Sequence, residues 1–196
     1  QKEPSVILEC QKLPAPTPKT DVAEVRKFLK KYCEHNRLKP RVESSSMTAD
    51  GKSVGTRTRF TLAENAERFR EDPRTLTLTL GDTLLTDRFY KGRTFHALAC
   101  DLPYGVQHES RDGQSKVALD KLMARALRAW QKVLLPGAAV ALSFNANTLP
   151  LEQARQMLER AGFVPLTGGP YDHMAHWVEQ AITRDIAVAR WPGKES

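Results

Sequence analysis

The 196-residue sequence predicts an α/β domain built on a doubly wound, mainly parallel sheet with an antiparallel C-terminal edge strand. Three observations predict this fold class. Short apolar runs alternate with amphipathic segments along the chain, which is the order expected of a mainly parallel sheet. Hydrophobic residues make up 40% of the chain and charged residues 27%, the balance of a globular domain. The last two apolar runs are close enough in sequence to pair as a hairpin, which makes one edge antiparallel.

The N-terminal part predicts one strand, a linker and one helix. Val6-Ile7-Leu8 is a short apolar run, typical of a buried strand, and it ends on Glu9. Residues 11–19 contain three prolines and are predicted to form a loop or linker. Either Thr20 or Asp21 can cap the helix that follows. Its apolar residues recur at helical spacing: Val22, Val25, Phe28, Leu29, Tyr32 and Cys33.

The segment at about 43–75 is predicted to be a polar insertion within a single domain that covers residues 1–196. Its serines, threonines and glycines favour an exposed loop or a loose hairpin, and a short helix is expected before Asp72-Pro73. The segment also carries clustered cations that suit phosphate binding. An alternative is a solvated surface on which acids balance these cations: Arg57, Arg59, Arg68, Arg70 and Arg74.

Regular alternation returns after this segment. Leucines at every second position predict a strand that ends on Gly81-Asp82, and "FHALACD" predicts the next strand. A strongly amphipathic helix follows and is expected to stop at Pro136-Gly137. The remaining elements are a strand over 138–144, a helix over 151–162, and two strands around 176–182 and 185–191 joined by a turn at Thr183-Arg184. This order completes a Rossmann-like arrangement, in which ligands bind at the carboxyl ends of the strands.

Three acidic residues stand directly after apolar strands. Glu9, Asp82 and Asp101 are therefore expected at one edge of the predicted sheet. Three carboxylates at one edge suit a ligand with hydroxyl groups and an exocyclic amine. The alternative for each residue is a structural role as a helix cap or a turn former.

The stretch Asp101-Leu102-Pro103-Tyr104-Gly105 carries a resemblance to a known family. It is similar to the Asp/Asn-Pro-Pro-Tyr/Phe signature at the end of the fourth strand of class I S-adenosylmethionine-dependent methyltransferases. The "DPPYG" form of the RNA guanine-N2 methyltransferases, including those with a THUMP domain, is the most similar. The order of strands and helices extends the resemblance over most of Val6 to Arg190, and the tetrapeptide is its specific part.

The resemblance implies methyl transfer to an exocyclic amine of a base in RNA (tRNA or rRNA), with guanine N2 as the first expectation. A base amine is a poor nucleophile because its lone pair is delocalised into the ring. Hydrogen bonds from its N–H groups to Asp101 and to the backbone carbonyl of Leu102 or Pro103 would localise that lone pair. Tyr104 would stack on the base, a contact of about 1–3 kcal/mol.

The same resemblance implies S-adenosyl-L-methionine as cofactor, with Glu9 on the ribose hydroxyls and Asp82 on the adenine amine. Gly105, His108 and Asn145 are expected to contact the substrate. Ser143 ends the same strand as Asn145 and can line the same cleft.

Two departures from the family pattern leave alternatives open. Leu102 replaces the first proline of the signature, so the turn lacks one rigid φ angle. No glycine-rich loop precedes Asp82, although such a loop lets the backbone approach the donor closely. We expect the first strand and its loop to lie upstream of Gln1. The alternatives are a non-catalytic RNA- or protein-binding module and a methyltransferase for DNA adenine N6 or protein glutamine.

Composition restricts the remaining function classes. Neither a membrane-spanning run nor a signal peptide is predicted, and the three cysteines lack the spacing of a zinc site or a disulfide framework. We therefore expect a cytoplasmic protein without a metal centre. The net charge of +7 is compatible with a polyanionic partner. The oligomeric state is left open by the sequence.

Overall fold

The computed structural model describes residues 5–11, 22–49, 51–102, 114–179 and 182–193. The chain divides into two compact units, Gln1–Leu85 and Thr86–Ser196. The sequence predicts one domain with an insertion, whereas the segment at about 43–75 forms part of the sheet of the first unit. We describe each unit by itself.

The first unit is a four-stranded antiparallel sheet with strand order β1-β4-β3-β2. Its elements are β1 (Ser5–Gln11), α1 (Val22–Asn36), β2 (Lys39–Ala49), β3 (Lys52–Ala63), α2 (Arg68–Glu71) and β4 (Arg74–Gly81). The predicted helix and both predicted strands of this region are present. The proline-rich linker lies outside the described residues.

The core of the first unit forms because β3, β4 and α1 each present apolar side chains at the period of their own structure. Leu76 and Leu78 alternate along β4, while Leu29 and Cys33 follow helical spacing in α1. These side chains belong to one buried cluster, which also includes Phe60 of β3. The guanidinium of Arg74 donates to the hydroxyl of Tyr32 at 2.7 Å, which adds a polar link between β4 and α1.

Residues that the sequence predicts as an exposed loop or loose hairpin form a long regular hairpin, β2–β3. Its register runs from Lys39 opposite Ala63 to Ala49 opposite Lys52, with one irregularity after Met47. Serine and threonine hydroxyls face one another across the strands, as in the Ser44–Thr58 pair at 3.0 Å. The polar composition does not indicate strands, because Ser and Thr occur both in loops and at solvent-facing positions of strands.

The second unit contains a five-stranded sheet with helices between its strands. The strand order is β5-β6-β9-β7, and β8 pairs with β9 as well. The elements are α3 (Thr86–Phe89), β5 (Phe95–Asp101), α4 (Gln114–Gln131), β6 (Leu134–Asn145), α5 (Leu151–Arg160), β7 (Val164–Pro165), β8 (His176–Glu179) and β9 (Ile182–Arg190). One face of this sheet is fully buried through Val140, Leu142 and Phe144 of β6.

The predicted α/β class is confirmed, and so is the antiparallel C-terminal edge. The parallel pair is β5–β6, whereas the other strand pairs among the described residues are antiparallel. Of the predicted mainly parallel sheet, the described residues contain this one parallel pair. The difference has a physical cause, since short connections close β2–β3 and β8–β9 as hairpins and parallel pairing requires a long crossover.

Two local boundaries differ from the sequence-based expectation. Helix α4 ends at Gln131, and Pro136 and Gly137 lie inside β6, where the register with β5 shifts between Phe95 and Ala97. A proline is accommodated there because an irregular part of a strand does not require its missing N–H. Thr183 and Arg184 are within β9 and do not form the predicted turn.

Candidate active site

Asp101 is the last residue of β5 and lies opposite Ser143 of β6 in the parallel register. The ladder continues one residue further, because the N–H of Leu102 donates to the carbonyl oxygen of Ser143 at 2.8 Å. The strand therefore holds the first two residues of the Asp-Leu-Pro-Tyr sequence at its carboxyl end.

The surroundings of Leu102 explain why leucine can stand where the family signature has proline. Proline has no N–H and cannot make the hydrogen bond to Ser143. The Leu102 side chain is also buried, with 3% of its surface exposed. Leu102 lacks the rigid ring of proline, but a backbone hydrogen bond and a packed side chain hold it in place instead.

The strand registers align a row of polar residues on one face of the second unit's sheet. Asp101 lies opposite Ser143, Asn145 lies opposite Arg184, and Arg184 lies opposite His176. Residues that lie opposite each other, or two apart on one strand, share a face of the sheet. The row runs along the carboxyl ends of β5 and β6, and we call it the polar row: Asp101, Ser143, Asn145, Arg184 and His176.

An ion pair joins two members of the polar row across β6. The Arg184 Nη2 atom lies 3.5 Å from the Asp101 Oδ2 atom. The Asp101 side chain is 53% exposed and the Arg184 side chain 30% exposed, so a ligand can reach the carboxylate from solvent. A pair this exposed contributes little to folding stability, about 0–1 kcal/mol. The contact places a positive charge beside the carboxylate at the strand ends.

Ser143 and Asn145 contribute differently to the polar row. The Ser143 hydroxyl oxygen is buried and has no hydrogen-bond partner among the described residues. Buried hydroxyl groups normally have a partner, so this one is suited to a ligand. The Asn145 side-chain oxygen instead accepts the N–H of Asn147 at 3.0 Å, in a turn that leads toward α5. What Asn145 can offer a ligand is its amide NH₂ group.

The two residues expected to bind the methyl donor do not come together. Strands β1 and β4 are antiparallel, so Glu9 lies opposite Thr77, while Ser5 lies opposite Gly81. Glu9 is therefore five residues along the strand from Asp82, or about 16 Å. The Asp82 carboxylate also accepts the N–H of Leu84 at 2.9 Å, which is the turn-forming role. The expectation that both acids share one sheet edge is wrong, because it assumed parallel strands.

The other expected site residues lie beyond the part of the chain that the structure describes. Pro103, Tyr104, Gly105 and His108 all fall in the segment 103–113. Their roles remain predictions from the resemblance.

The sequence does not reveal two members of the polar row, His176 and Arg184, of which Arg184 is the one that contacts Asp101. The signal for Arg184 was available, since it falls within an alternating run from Ile182 to Arg190. Placing a turn at Thr183-Arg184 removed it from the sheet. Its position becomes evident only when β9 is aligned with Asn145 of β6.

Cys100 adjoins the site and is not a nucleophile. Burial, and secondly the charge of Asp101, raise the pKa of its thiol from 9.0 to about 11. The thiol is therefore protonated at neutral pH and unreactive.

No group of three metal-binding side chains occurs among the described residues. Within the same part of the chain, no helix is long and apolar enough to cross a membrane.

Comparison with known proteins gives matches among solved structures alone, since no family model and no curated protein matches the sequence. A candidate DNA modification methylase from Thermus thermophilus aligns at 18% identity with a TM-score of 0.43, over 59% of this chain and 54% of that protein. The same methylase complexed with S-adenosyl-L-methionine gives 16% identity and a TM-score of 0.41, over 59% of this chain and 55% of that protein.

TrmN from Thermus thermophilus aligns at 23% identity with a TM-score of 0.37, over 57% of this chain and 27% of TrmN. The chain thus spans about half the length of the methylase and about a quarter of TrmN.

Proposed function

We propose that this chain acts in S-adenosylmethionine-dependent methyl transfer to an exocyclic amine of a base in RNA, with guanine N2 as the accepting amine. The observation that carries the proposal is the position of Asp101. This carboxylate begins an Asp-Leu-Pro-Tyr sequence at the carboxyl end of β5, is 53% exposed, and has the Arg184 guanidinium beside it. Such an end of a parallel pair is the usual place for a ligand in an α/β sheet.

Asp101 has the chemistry needed to prepare an amine for methylation. Its carboxylate accepts a hydrogen bond from one N–H of the base amine, and the backbone carbonyl of Leu102 or Pro103 accepts the other. These bonds hold the amine nitrogen with its lone pair directed away from the ring. The amine proton becomes acidic only as the new N–C bond forms, and it then passes to Asp101 or to water. S-adenosylmethionine would supply the methyl group, its sulfur–methyl bond breaking as the N–C bond forms, and would leave as the neutral thioether S-adenosylhomocysteine.

The proposal assigns the acceptor side of the reaction to this chain. Glu9 and Asp82 do not fit a shared donor site, because the antiparallel register separates them. We therefore assign no donor contact to either residue. Tyr104 stacks on the base, and Gly105 and His108 contact the flanking RNA in this proposal. The net charge of +7 favours a polyanionic substrate.

Replacement of Asp101 tests the proposed function. We expect Asp101→Ala to abolish methyl transfer from labelled S-adenosylmethionine to RNA, and to leave the fold intact because the side chain is half exposed. Asp120→Asn, an exposed acid on α4, is the matched control and should retain activity. Methyl transfer that survives Asp101→Ala would show that the motif has another role.

A second candidate is a binding module without methyl transfer, and the separation of Glu9 from Asp82 favours it. Calorimetric titrations of S-adenosylmethionine and of RNA into the chain, and into the longest version that its gene encodes, distinguish the two candidates. Donor binding supports the enzyme. RNA binding without donor binding supports the module. Parallel assays with DNA and with protein substrates test methylation of adenine N6 and of glutamine.

A further inference from the structure

We infer that Arg184 is a positioning residue, which holds the Asp101 carboxylate in the orientation that recognises the exocyclic amine of a guanine base. The inference rests on the proposed function and adds to it a residue outside the Asp-Leu-Pro-Tyr sequence. The observation behind it is the contact between Arg184 Nη2 and Asp101 Oδ2, at 3.5 Å across the intervening strand β6.

Asp101 presents a defined oxygen only if its exposed side chain is held in place, and the contact with Arg184 is one that restricts it. It is the last residue of β5 and its side chain is 53% exposed. A half-exposed carboxylate rotates among several orientations unless a neighbour restricts it. A carboxylate accepts several hydrogen bonds, so the contact with Arg184 is compatible with an additional N–H from a base.

Arg184 is well placed to supply this constraint, because two neighbouring strands hold its backbone. It lies opposite Asn145 of β6 on one side and His176 of β8 on the other. The N–H of Ala146 also donates to the carbonyl oxygen of Thr183 at 2.7 Å, which extends the pairing at this end of β9. A side chain anchored in the centre of a sheet positions a partner more accurately than one on a loop.

Strand β9 provides a matched comparison for this arginine. Arg190 is six residues further along, on the same face of the sheet, but at the opposite end of the strand. Its guanidinium donates to the carbonyl oxygen of Gly137 at 2.9 Å, away from Asp101. Arg190→Gln therefore removes the same charge from the same strand without affecting the polar row.

The test measures recognition of the amine by equilibrium binding, so it does not require methyl transfer. Two single-stranded RNA oligonucleotides differ only in one guanosine, which is replaced by inosine and so lacks the exocyclic amine. We expect the wild-type chain to bind the guanosine RNA more tightly by about tenfold or more, the size of a hydrogen bond to a charged group. Asp101→Asn should reduce this ratio toward one.

The Arg184 variants distinguish positioning from other roles. Arg184→Gln should lower the guanosine-to-inosine ratio several-fold, and Arg184→Lys should restore part of it. The double variant Asp101→Asn/Arg184→Gln should have the same ratio as Asp101→Asn alone, because Arg184 acts through Asp101. Arg190→Gln should retain the wild-type ratio. Thermal melts of all variants serve as the control that the fold is retained.

Each contrary outcome has a definite meaning. A wild-type ratio in Arg184→Gln overturns the inference and leaves the proposed function standing. Equal weakening for both RNAs, or additive effects in the double variant, means that Arg184 contacts the RNA directly, and this also overturns the inference. Absence of a guanosine preference in the wild type removes guanine N2 as the substrate, and the inference with it.

Discussion

At the scale of single residues, a small number of side chains defines the site. Asp101 and Arg184 meet across one strand, and Ser143 lies opposite Asp101 with its hydroxyl buried. The sequence predicts Asp101 because an acid that ends an apolar run stands out. It does not identify Arg184, because an arginine in a hairpin carries no local mark of its partner. Pairing between residues 83 positions apart becomes visible only in the fold.

Leu102 gives the prediction at this scale. Leu102→Pro should be less stable than Leu102→Ala by about 1 kcal/mol, because both variants lose the buried side chain but proline also loses the hydrogen bond to Ser143. Urea denaturation of the two variants measures the difference in the free energy of unfolding. If the proline variant is equally stable or more stable, the backbone hydrogen bond is not what compensates for the missing proline ring.

At the scale of elements, local periodicity predicts the segments whose two faces differ in polarity. Strand β4 is predicted from alternating leucines, and α5 from apolar residues at helical spacing. The hairpin β2–β3 is not predicted as regular structure, since serines and threonines occupy both of its faces. Strand direction also has no local signature. The antiparallel pairing of β1 with β4, which separates Glu9 from Asp82, therefore could not be predicted.

The connection between α5 and β8 gives the prediction at this scale. An Arg155 Nη2 atom lies 2.5 Å from Asp172 Oδ1, and the N–H of Gly168 donates to Asp172 Oδ2 at 2.8 Å. The hydrogen bond from Arg155 is the main reason that the pKa of Asp172 is lowered from 3.8. A lowered pKa in the folded state adds stability above the unfolded pKa, and this stability is lost as the pH falls through the folded pKa.

We therefore expect Asp172→Asn to lower the Tm by a few degrees at pH 7, with Glu159→Gln, on the helix α5 that carries Arg155, as an unaffected control. The difference from wild type should begin to shrink as the pH falls below about 4, the pKa of the unfolded carboxylate, and should go on shrinking as the pH falls toward the lower folded pKa. Thermal melts from pH 7 down to pH 3 measure this convergence. A Tm difference that stays constant over this range would assign the effect to packing and not to the ionised carboxylate.

At the scale of the whole molecule, the proposal separates two contributions to RNA binding. The net charge of +7 acts on any polyanion, whereas the Asp101–Arg184 pair acts on one amine. Phosphate contacts release counterions, so their contribution decreases steeply with salt. A hydrogen bond between a carboxylate and an amine acts over a short distance and is much less screened than charges separated by more than a Debye length.

The salt dependence of binding tests this separation. Raising the salt concentration from about 50 to 200 mM should weaken binding of the guanosine and inosine RNAs alike, by about twentyfold if the chain makes three phosphate contacts. The ratio of the two dissociation constants should change by less than about twofold, because both RNAs carry the same phosphates. A ratio that falls in parallel with affinity would mean that the preference for guanosine itself arises from long-range electrostatics. Asp101 and Arg184 would then contribute through charge alone, and their geometry at the strand ends would not matter for recognition.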